Sequence, residues 1–423
     1  MLTAGIEEPG AEASMIKIEA ELLIPGDGEP VTGGVLLADD GVIRYAGPAS
    51  AAPDSPGADV VTARAVMPGM WDCHAHFLGA QSLDLSRLPQ EPVALRAARC
   101  ARDLANALQA GITSVREVGG LGVHLARAVS EGILDGPSVY AAGAVLSVTG
   151  GHGDLHCYPL SWVSEFGAAD GTFRLADGEA ECMRAVREQL RRGARLIKVC
   201  ASGGVLSELD SPIHQQFTVA ELRTIVEIAG LAQRVVAAHC HGKPGIMAAI
   251  EAGVATIEHG TYLDEEACDA MAETGTILVP TRTVVEEILA HLGDVPPYAA
   301  AKLTAIAEIH ADAVRMAVER GVTIAMGTDI SVTGMQLPNS WGHNGSELAY
   351  LAALGMTPLQ AIAAATATAP RTIGPQAPRS GQLAAGFDAD FLTLDADPLA
   401  DISVLADPDH VTGVWTGGRR VKG

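Results

Sequence analysis

The chain has 423 residues, 48% of them hydrophobic and only 4% aromatic, so a large core has to be built mainly from aliphatic side chains. The formal net charge is -23, from 28 Lys and Arg against 51 Asp and Glu, which argues against nucleic acid as a partner because phosphate contacts need clustered cations. No apolar run reaches the roughly 18 residues that cross a bilayer, the acidic start lacks a secretory pattern, and the seven cysteines form no C-x-x-C pair, so a cytoplasmic protein with no membrane partner is expected.

Residues 15–65 read as short strands broken by Gly and Asp-Gly turns, in MIKIEAELLIPG, VTGGVLLADDGVIRYAG and ADVVTARAVMPG. From residue 66 the pattern becomes strand, Gly- or Asp-containing loop and helix, repeated. The first of these strands, AVMPGMWDCHAHF, carries His74 and His76 at its end. Residues i and i+2 of a strand share a face, so both imidazoles can enter one mouth, although two polar residues at a strand end would look the same. GITSVREVG and PSVYAAGAVLSV follow as the second and third strands. The longest connection, TGGHGDLHCYPLSWVSEFGAADGTFRLADGEAE, is expected to be a substrate lid. It holds His152, whose Gly flanks permit close backbone approach, and His156, Tyr158 and Trp162, each readable as pocket lining or as loop surface.

The fourth strand, GARLIKVCAS, sets Lys198 among apolar residues, and the helix after it opens on Thr218-x-x-Glu221, a capping box. His239 ends the fifth strand, with His241 two residues beyond it, and His259 ends the sixth. Arg282 follows the seventh strand, where it could hold a substrate carboxylate or form a surface salt bridge. Asp329 ends the eighth, and Trp341 and His343 lie in the loop beyond. The C-terminal GQLAAGFDADFLTLDADPLADISVLADPDHVTGVWTGGRRV returns to short strands, so a β-rich domain built from 1–65 and 382–423 is expected beside a domain over 66–381. Eight strands alternating with helices predict an α/β fold, a (β/α)8 barrel, with a doubly wound sheet as the alternative.

In such a barrel the C-terminal strand ends converge on one face. His74, His76, His239, His259 and Asp329 would then meet, and unrelated core histidines would not fall this way, so a metal centre is expected. Lys198 would join them. A bare ammonium is costly to bury and repels a divalent cation. It escapes by losing its proton or by reacting, as the neutral amine, with carbon dioxide to give a carbamate that can bridge two metals. A lysine paired with a nearby acid is the plainer reading.

The segments MPGMWDCHAHF, GITSVREVGG, TGGHG, RLIKVCASGG, AAHCHG, GVATIEHGTYL, MGTDI and GQLAAGFDADFLTLDADPL carry a resemblance. Through them the chain resembles the amidohydrolase superfamily of metal-dependent hydrolases over nearly its whole length, and within it the imidazolonepropionase-like and Xaa-Pro dipeptidase (prolidase)-like group. The resemblance implies a (β/α)8 TIM barrel, a β-sandwich domain from both chain ends, and two divalent metal ions, commonly zinc. By motif His74, His76 and Asp329 match ligands of the more buried metal, His239 and His259 those of the more exposed one, and Lys198 the carboxylated lysine that bridges them. His241 matches a position that helps polarise the scissile carbonyl, and His152 one that contacts substrate.

Two cations lower the pKa of a bridging water toward neutrality. Hydroxide can then attack an amide carbonyl, while Asp329 takes the nucleophile's proton and delivers it to the leaving nitrogen. The expected activity is hydrolysis of a C–N amide bond in a dipeptide, Xaa-Pro or similar, or in an N-acyl amino acid, beside a free carboxylate. Tyr158, His343, Arg282, His152 and His241 are the expected substrate contacts, the partner is this small molecule, and a homo-oligomer is expected. The alternatives are a cyclic amide, an aryl amide or an amide-linked toxin, and lactones or other esters. A non-catalytic scaffold is the reading from another class, and the complete set of ligand-type residues argues against it.

Overall fold

The computed structural model describes residues 15–423. The N-terminal strands are β1 (Ile16–Leu23), β2 (Val31–Asp39), β3 (Val42–Pro48) and β4 (Asp59–Pro68). Next come β5 (Met70–Ala80), β6 (Ile112–Glu117), β7 (Ser138–Ala141), β8 (Val145–Ser147), β9 (Phe173–Leu175), β10 (Ile197–Cys200), β11 (Val236–Cys240), β12 (Thr256–His259), β13 (Ile277–Val279) and β14 (Ile330–Val332). The last strands are β15 (Phe391–Leu394), β16 (Val411–Thr416) and β17 (Arg419–Lys422).

Strands from both chain ends form one seven-stranded sheet in the order β17-β16-β15-β4-β1-β2-β3. The β2–β3 hairpin turns at Asp40-Gly41, with φ 48° and 72°, the pair of left-handed residues that matches the twist of its strands. At the far edge Ile43 N–H donates to Phe387 O at 2.9 Å and Ala389 N–H to Gly41 O at 2.8 Å, so β3 also meets the segment leading into β15. Ile18, Leu23, Leu36, Ile43, Val66, Phe391 and Trp415 pack together as the core of this part. The boundary expected after residue 65 falls inside β4, which pairs with β15 as far as Pro68.

The remaining strands form two parallel sheets, β13-β12-β11-β10-β8-β9 and β14-β5-β6-β7, in an α/β arrangement. Helices separate most consecutive strands, among them Val93–Gln109, Glu179–Arg192, Val219–Leu231, Lys243–Ala252, Glu265–Thr274 and Pro297–Glu319. The expected capping box forms, with Thr218 Oγ1 accepting from Glu221 N–H and Glu221 accepting from Thr218 N–H. β10, β11 and β12 are buried along their whole length, as the near-continuous apolar runs required. The segment before β14 runs between the two sheets. Ile324 bridges to Leu278 beside β13, and Cys73 N–H of β5 donates to Met326 O at 2.9 Å. On the other flank Arg195 N–H donates to Ala141 O at the end of β7, at 2.7 Å.

Three expectations change in detail. The third strand is interrupted at residues 142–144, and its halves pair with different sheets. The eighth is reduced to one isolated bridge, at Ile324, followed by the three residues of β14, because the backbone there is spent on His74, whose carbonyl accepts from both Thr328 N–H and Asp329 N–H. The long connection contains structure of its own, the helix Leu160–Asp170 and strand β9. Among the described residues no helix is long and apolar enough to cross a membrane.

Candidate active site

Polar residues of β5, β10, β11 and β12 and of the 323–329 segment line one cleft. It encloses about 940 Å³, solvent at its mouth included. His74 and His76 alternate with Ala75 on β5 and so both face inward. His76 Nε2 lies 3.1 Å and His74 Nε2 3.6 Å from Asp329 Oδ1. Lys198 Nζ is 3.4 Å from His74 Nε2. Ligand atoms of His74, His259 and Asp329 lie within 4.8 Å of one another, and so do those of His239, His241 and His259. Asp329 and His259 hold positive φ, 61° and 70°, a conformation uncommon for such residues and concentrated at functional sites.

The imidazoles are held from behind. His74 Nδ1–H donates to Glu258 Oε2 at 2.7 Å, and His76 Nδ1–H to Gly119 O at 2.7 Å. Both acceptors lack a proton, so Nδ1 is the donor in each; His74 keeps an Nε2 lone pair for the cleft, and His76 turns its Nε2 to Asp329 Oδ1. His241 Nδ1 meets Thr261 Oγ1 and His259 Nδ1 meets Thr281 Oγ1, each at 2.7 Å, which again leaves Nε2. His239 differs, with Nε2 3.2 Å from Gly203 O. Imidazoles anchored at one nitrogen, with one carboxylate at their centre, fit divalent cations such as zinc.

The electrostatics agree. Burial pushes His74 down to about 4 and His241 to about 3, and it holds His239 and His259 well below the usual histidine range. Burial also lowers the Lys198 pKa, favouring the neutral amine. His76 goes the other way: burial lowers it, but its hydrogen bond and charge contact with Asp329 outweigh that. Burial would raise Asp329, yet His74 and His76 hold it below the ordinary aspartate value.

Several supporting residues carried no assignment in the sequence. Glu258 is fully buried, and Arg116 Nη2 reaches both of its carboxylate oxygens at 2.7 Å. Asp72, also buried, accepts from His74 N–H, Thr328 N–H and Asn344 Nδ2. The signal was present, because Arg116, Glu258 and Asp72 are charges inside apolar strands and such charges must find partners. Thr261 and Thr281 gave no signal at all.

His152 lines the cleft, with burial lowering it to about 4. Arg282 does not. Its guanidinium turns into the helices, 2.6 Å from Glu286 Oε1, donating to Ala307 O at 2.7 Å and lying 3.3 Å from His310 Nδ1. Its backbone N–H donates to the buried Glu347. Tyr158 donates its hydroxyl to Ser86 O at 2.7 Å and, with Trp162, borders a separate small cavity under the 160–170 helix. His343 packs at Met335 O, away from the cleft, while Trp341 is fully buried and stacked on Phe77.

A fold of parallel strands with histidines and an aspartate gathered at their ends is the arrangement of a metal-dependent hydrolase. The chain belongs to the amidohydrolase family, whose model matches residues 65–421. It is similar to ochratoxinase from Aspergillus niger, 44% identical over 429 residues that cover 97% of this chain and 88% of the relative. The crystal structure of A. niger ochratoxinase superposes with a TM-score of 0.90 at 43% identity, covering 97% and 96% of the two chains. A prolidase crystallised with N-methylphosphonate-L-proline superposes at 0.87 with 31% identity, covering 97% of this chain and 100% of that one. Imidazolonepropionase from Deinococcus radiodurans is 27% identical over 418 residues, 94% of each chain.

Proposed function

We propose that this protein hydrolyses the C–N bond of an amide that carries bulky apolar groups. The observation that carries this reading is the cleft wall. Around the histidines it is formed by Leu78, Leu85, Val145, Phe173, Val205, Val284, Val285, Ile288, Leu303 and Ile306. The one candidate for a substrate carboxylate, Arg282, is turned away. Likeness to ochratoxinase, whose substrate is an amide-linked toxin, points the same way. A dipeptide or Xaa-Pro substrate remains a second reading, supported by the likeness to the prolidase.

In this reading His74, His76, Asp329, His239 and His259 would hold two divalent cations, zinc by preference of the imidazole donors, Lys198 as its carbamate would add a further carboxylate ligand, and His241 would contact the substrate. Bound there, the cations supply an acidified water and a polarised carbonyl. The chain's own part is to bind, orient and move protons. Asp329 would accept a proton and return it to the leaving nitrogen, a role supported by its Oδ1 lying within 3.6 Å of both His74 and His76. Glu258 and Gly119 fix the orientations of His74 and His76. The apolar wall excludes water.

Two architectural readings belong to the same proposal. The 323–329 segment, bonded to both parallel sheets, supports closure into a (β/α)8 barrel. The contacts of β3 with 387–389 support a sandwich-like terminal domain. Operation in the cytoplasm is supported by seven free thiols, and a homo-oligomer is kept as part of the proposal.

The test is kinetic. Metal-loaded protein is assayed on N-aroyl amino acids, ochratoxin, aliphatic Xaa-Pro dipeptides, lactones and aryl esters, and intact mass is used to detect one added carboxyl group lost in Lys198→Ala. The expected order places the apolar amides first. Turnover of esters alone, or of Xaa-Pro dipeptides alone, overturns the apolar-amide reading.

A further inference from the structure

The strand ends opposite the cleft carry two cations without a counter-charge. Arg195 stands two residues before Ile197 of β10, and Arg234 two residues before Val236 of β11. Ile197 and Val236 are partners in the parallel pairing, so the two arginines enter neighbouring strands side by side. Cys200 and His239, at the other ends of the same strands, line the cleft. Arg234 Nε donates to Ala194 O at 3.0 Å, which draws its guanidinium against the residue before Arg195. The guanidinium carbon of Arg195 lies 5.8 Å from the centre of the Tyr140 ring, within cation–π range, and that ring stacks on Trp71 with centroids 5.0 Å apart. Both arginines are half-buried.

They are held in place but not neutralised. Among the described residues no carboxylate pairs with either guanidinium, and the charge that acts on Arg234 is that of Arg195, which together with burial lowers its pKa. Asp388 and Asp390 act on the Tyr140 hydroxyl, which burial pushes up to about 12 with their help, but neither reaches Arg195. Acids are not scarce in a chain with 51 of them against 28 Lys and Arg. Two donors are also unfilled: Arg195 Nε and Arg234 Nη1 are buried and have no hydrogen-bond partner.

A guanidinium does not escape by losing its proton, because its pKa lies too far above neutrality. Two adjacent like charges with unfilled buried donors weigh against the fold unless something supplies acceptors and negative charge. Water supplies acceptors without charge. A dianionic oxyanion supplies both, and its oxygens match the planar forks of two guanidinium groups.

We propose that Arg195 and Arg234 form a binding site for a dianionic oxyanion, a phosphate group or a dicarboxylate, at the strand ends opposite the cleft. Such a ligand ties together the segments that enter β10 and β11, the strands carrying Lys198 and His239. The site does not depend on the amide-hydrolase reading, and it survives if that reading fails.

Crystallography and melting of the metal-loaded protein test it together. Crystals are soaked in selenate, whose selenium is located by anomalous scattering. In solution the melting temperature is followed against inorganic phosphate and against succinate, with ionic strength held constant by chloride. Wild type, Arg195→Gln, Arg234→Gln and Arg234→Lys are compared with Arg223→Gln, whose arginine pairs with Glu251 at the surface. The readout is the rise caused by the anion within each protein, so a variant that is merely less stable still reports.

Selenate is expected between the two guanidinium groups. A saturable rise in melting temperature is expected in the wild type and in Arg223→Gln. It should be lost in both Gln variants and shifted to higher concentration in Arg234→Lys, which keeps the charge without the fork. A larger rise with phosphate assigns a phosphate-bearing ligand, and a larger rise with succinate a carboxylate-bearing one. Selenate at the cleft histidines alone overturns the proposal, as does an anion response that persists in both Gln variants. A selenate peak at the arginines with no saturable response in solution marks an adventitious ion only and overturns it equally.

Discussion

Glu258→Gln isolates what the groups behind the metal-type residues contribute. Glu258 is fully buried, accepts from His74 Nδ1–H at 2.7 Å, from Thr256 Oγ1 in a short contact, and from Arg116 on both oxygens. Burial would raise its pKa, but Arg116 and His74 hold it well below the usual carboxylate range, so the group is charged. Glutamine keeps the shape but offers one acceptor in place of two and leaves the Arg116 guanidinium buried without a counter-charge, bonded only to neutral oxygens such as Thr256 Oγ1 and Cys73 O. Removing one partner of a buried pair costs about 3–5 kcal/mol. The Nδ1 anchor of His74 also weakens, and loss of such a support lowers metal affinity about 10–100-fold, or roughly 1.4–2.7 kcal/mol.

Urea denaturation gives the first quantity, and competition with a chromophoric zinc chelator gives the second. Glu251→Gln is the control, since Glu251 pairs with Arg223 at the surface, where an ion pair contributes little, and it is expected to change neither. Glu258→Gln with wild-type zinc affinity and unaltered stability would refute the reasoning.

Three further outcomes are expected. In Gly327→Ala the new Cβ would sit 2.4 Å from Val279 Cγ1, 2.8 Å from His74 Cβ and 2.9 Å from His74 N, so the strand carrying His74 has to move. The overpacking costs about 1–3 kcal/mol, and metal content by elemental analysis should fall; full occupancy contradicts this. Burial, reinforced by Lys198 and Arg282 respectively, holds His74 and His310 at about 4 in the folded chain. Their folded pKa lies below the unfolded value of 6.5, so the stability they contribute is complete above pH 6.5 and lost as pH falls toward 4. Metal-free protein should lose up to about 3 kcal/mol for each imidazole over that window, and urea midpoints that stay level down to pH 4.5 would exclude it. Arg282→Met breaks the contacts with Glu286 and Ala307 O, so a lower melting temperature is expected, with an unchanged ratio of KM values for carboxylate-bearing and neutral amides.

The sequence carried the histidines and Asp329 because each follows an apolar run, and in a parallel sheet such positions share one face. It also showed Lys198 as a charge out of place in β10. Arg116 and Glu258 were equally out of place, in SVRE and TIEH, but their pairing across 142 residues depends on how the strands are ordered. Arg282 shows the opposite failure. Its position after a strand suggested the cleft, yet the αL conformation of Thr281 starts a helix that carries the guanidinium toward Glu286, one turn on.

By itself, then, the sequence determined the family, the α/β alternation and the residues that meet at the strand ends, because these follow from local periodicity and from motifs within a few residues. Only the tertiary structure decided what anchors each imidazole, which charges neutralise one another, and that the cleft is walled by aliphatic side chains. Those properties depend on partners far apart in the chain: Glu258 for His74, Ser207 and Asp210 for His152, and Leu303 and Ile306 from a helix that the strand pattern alone does not orient.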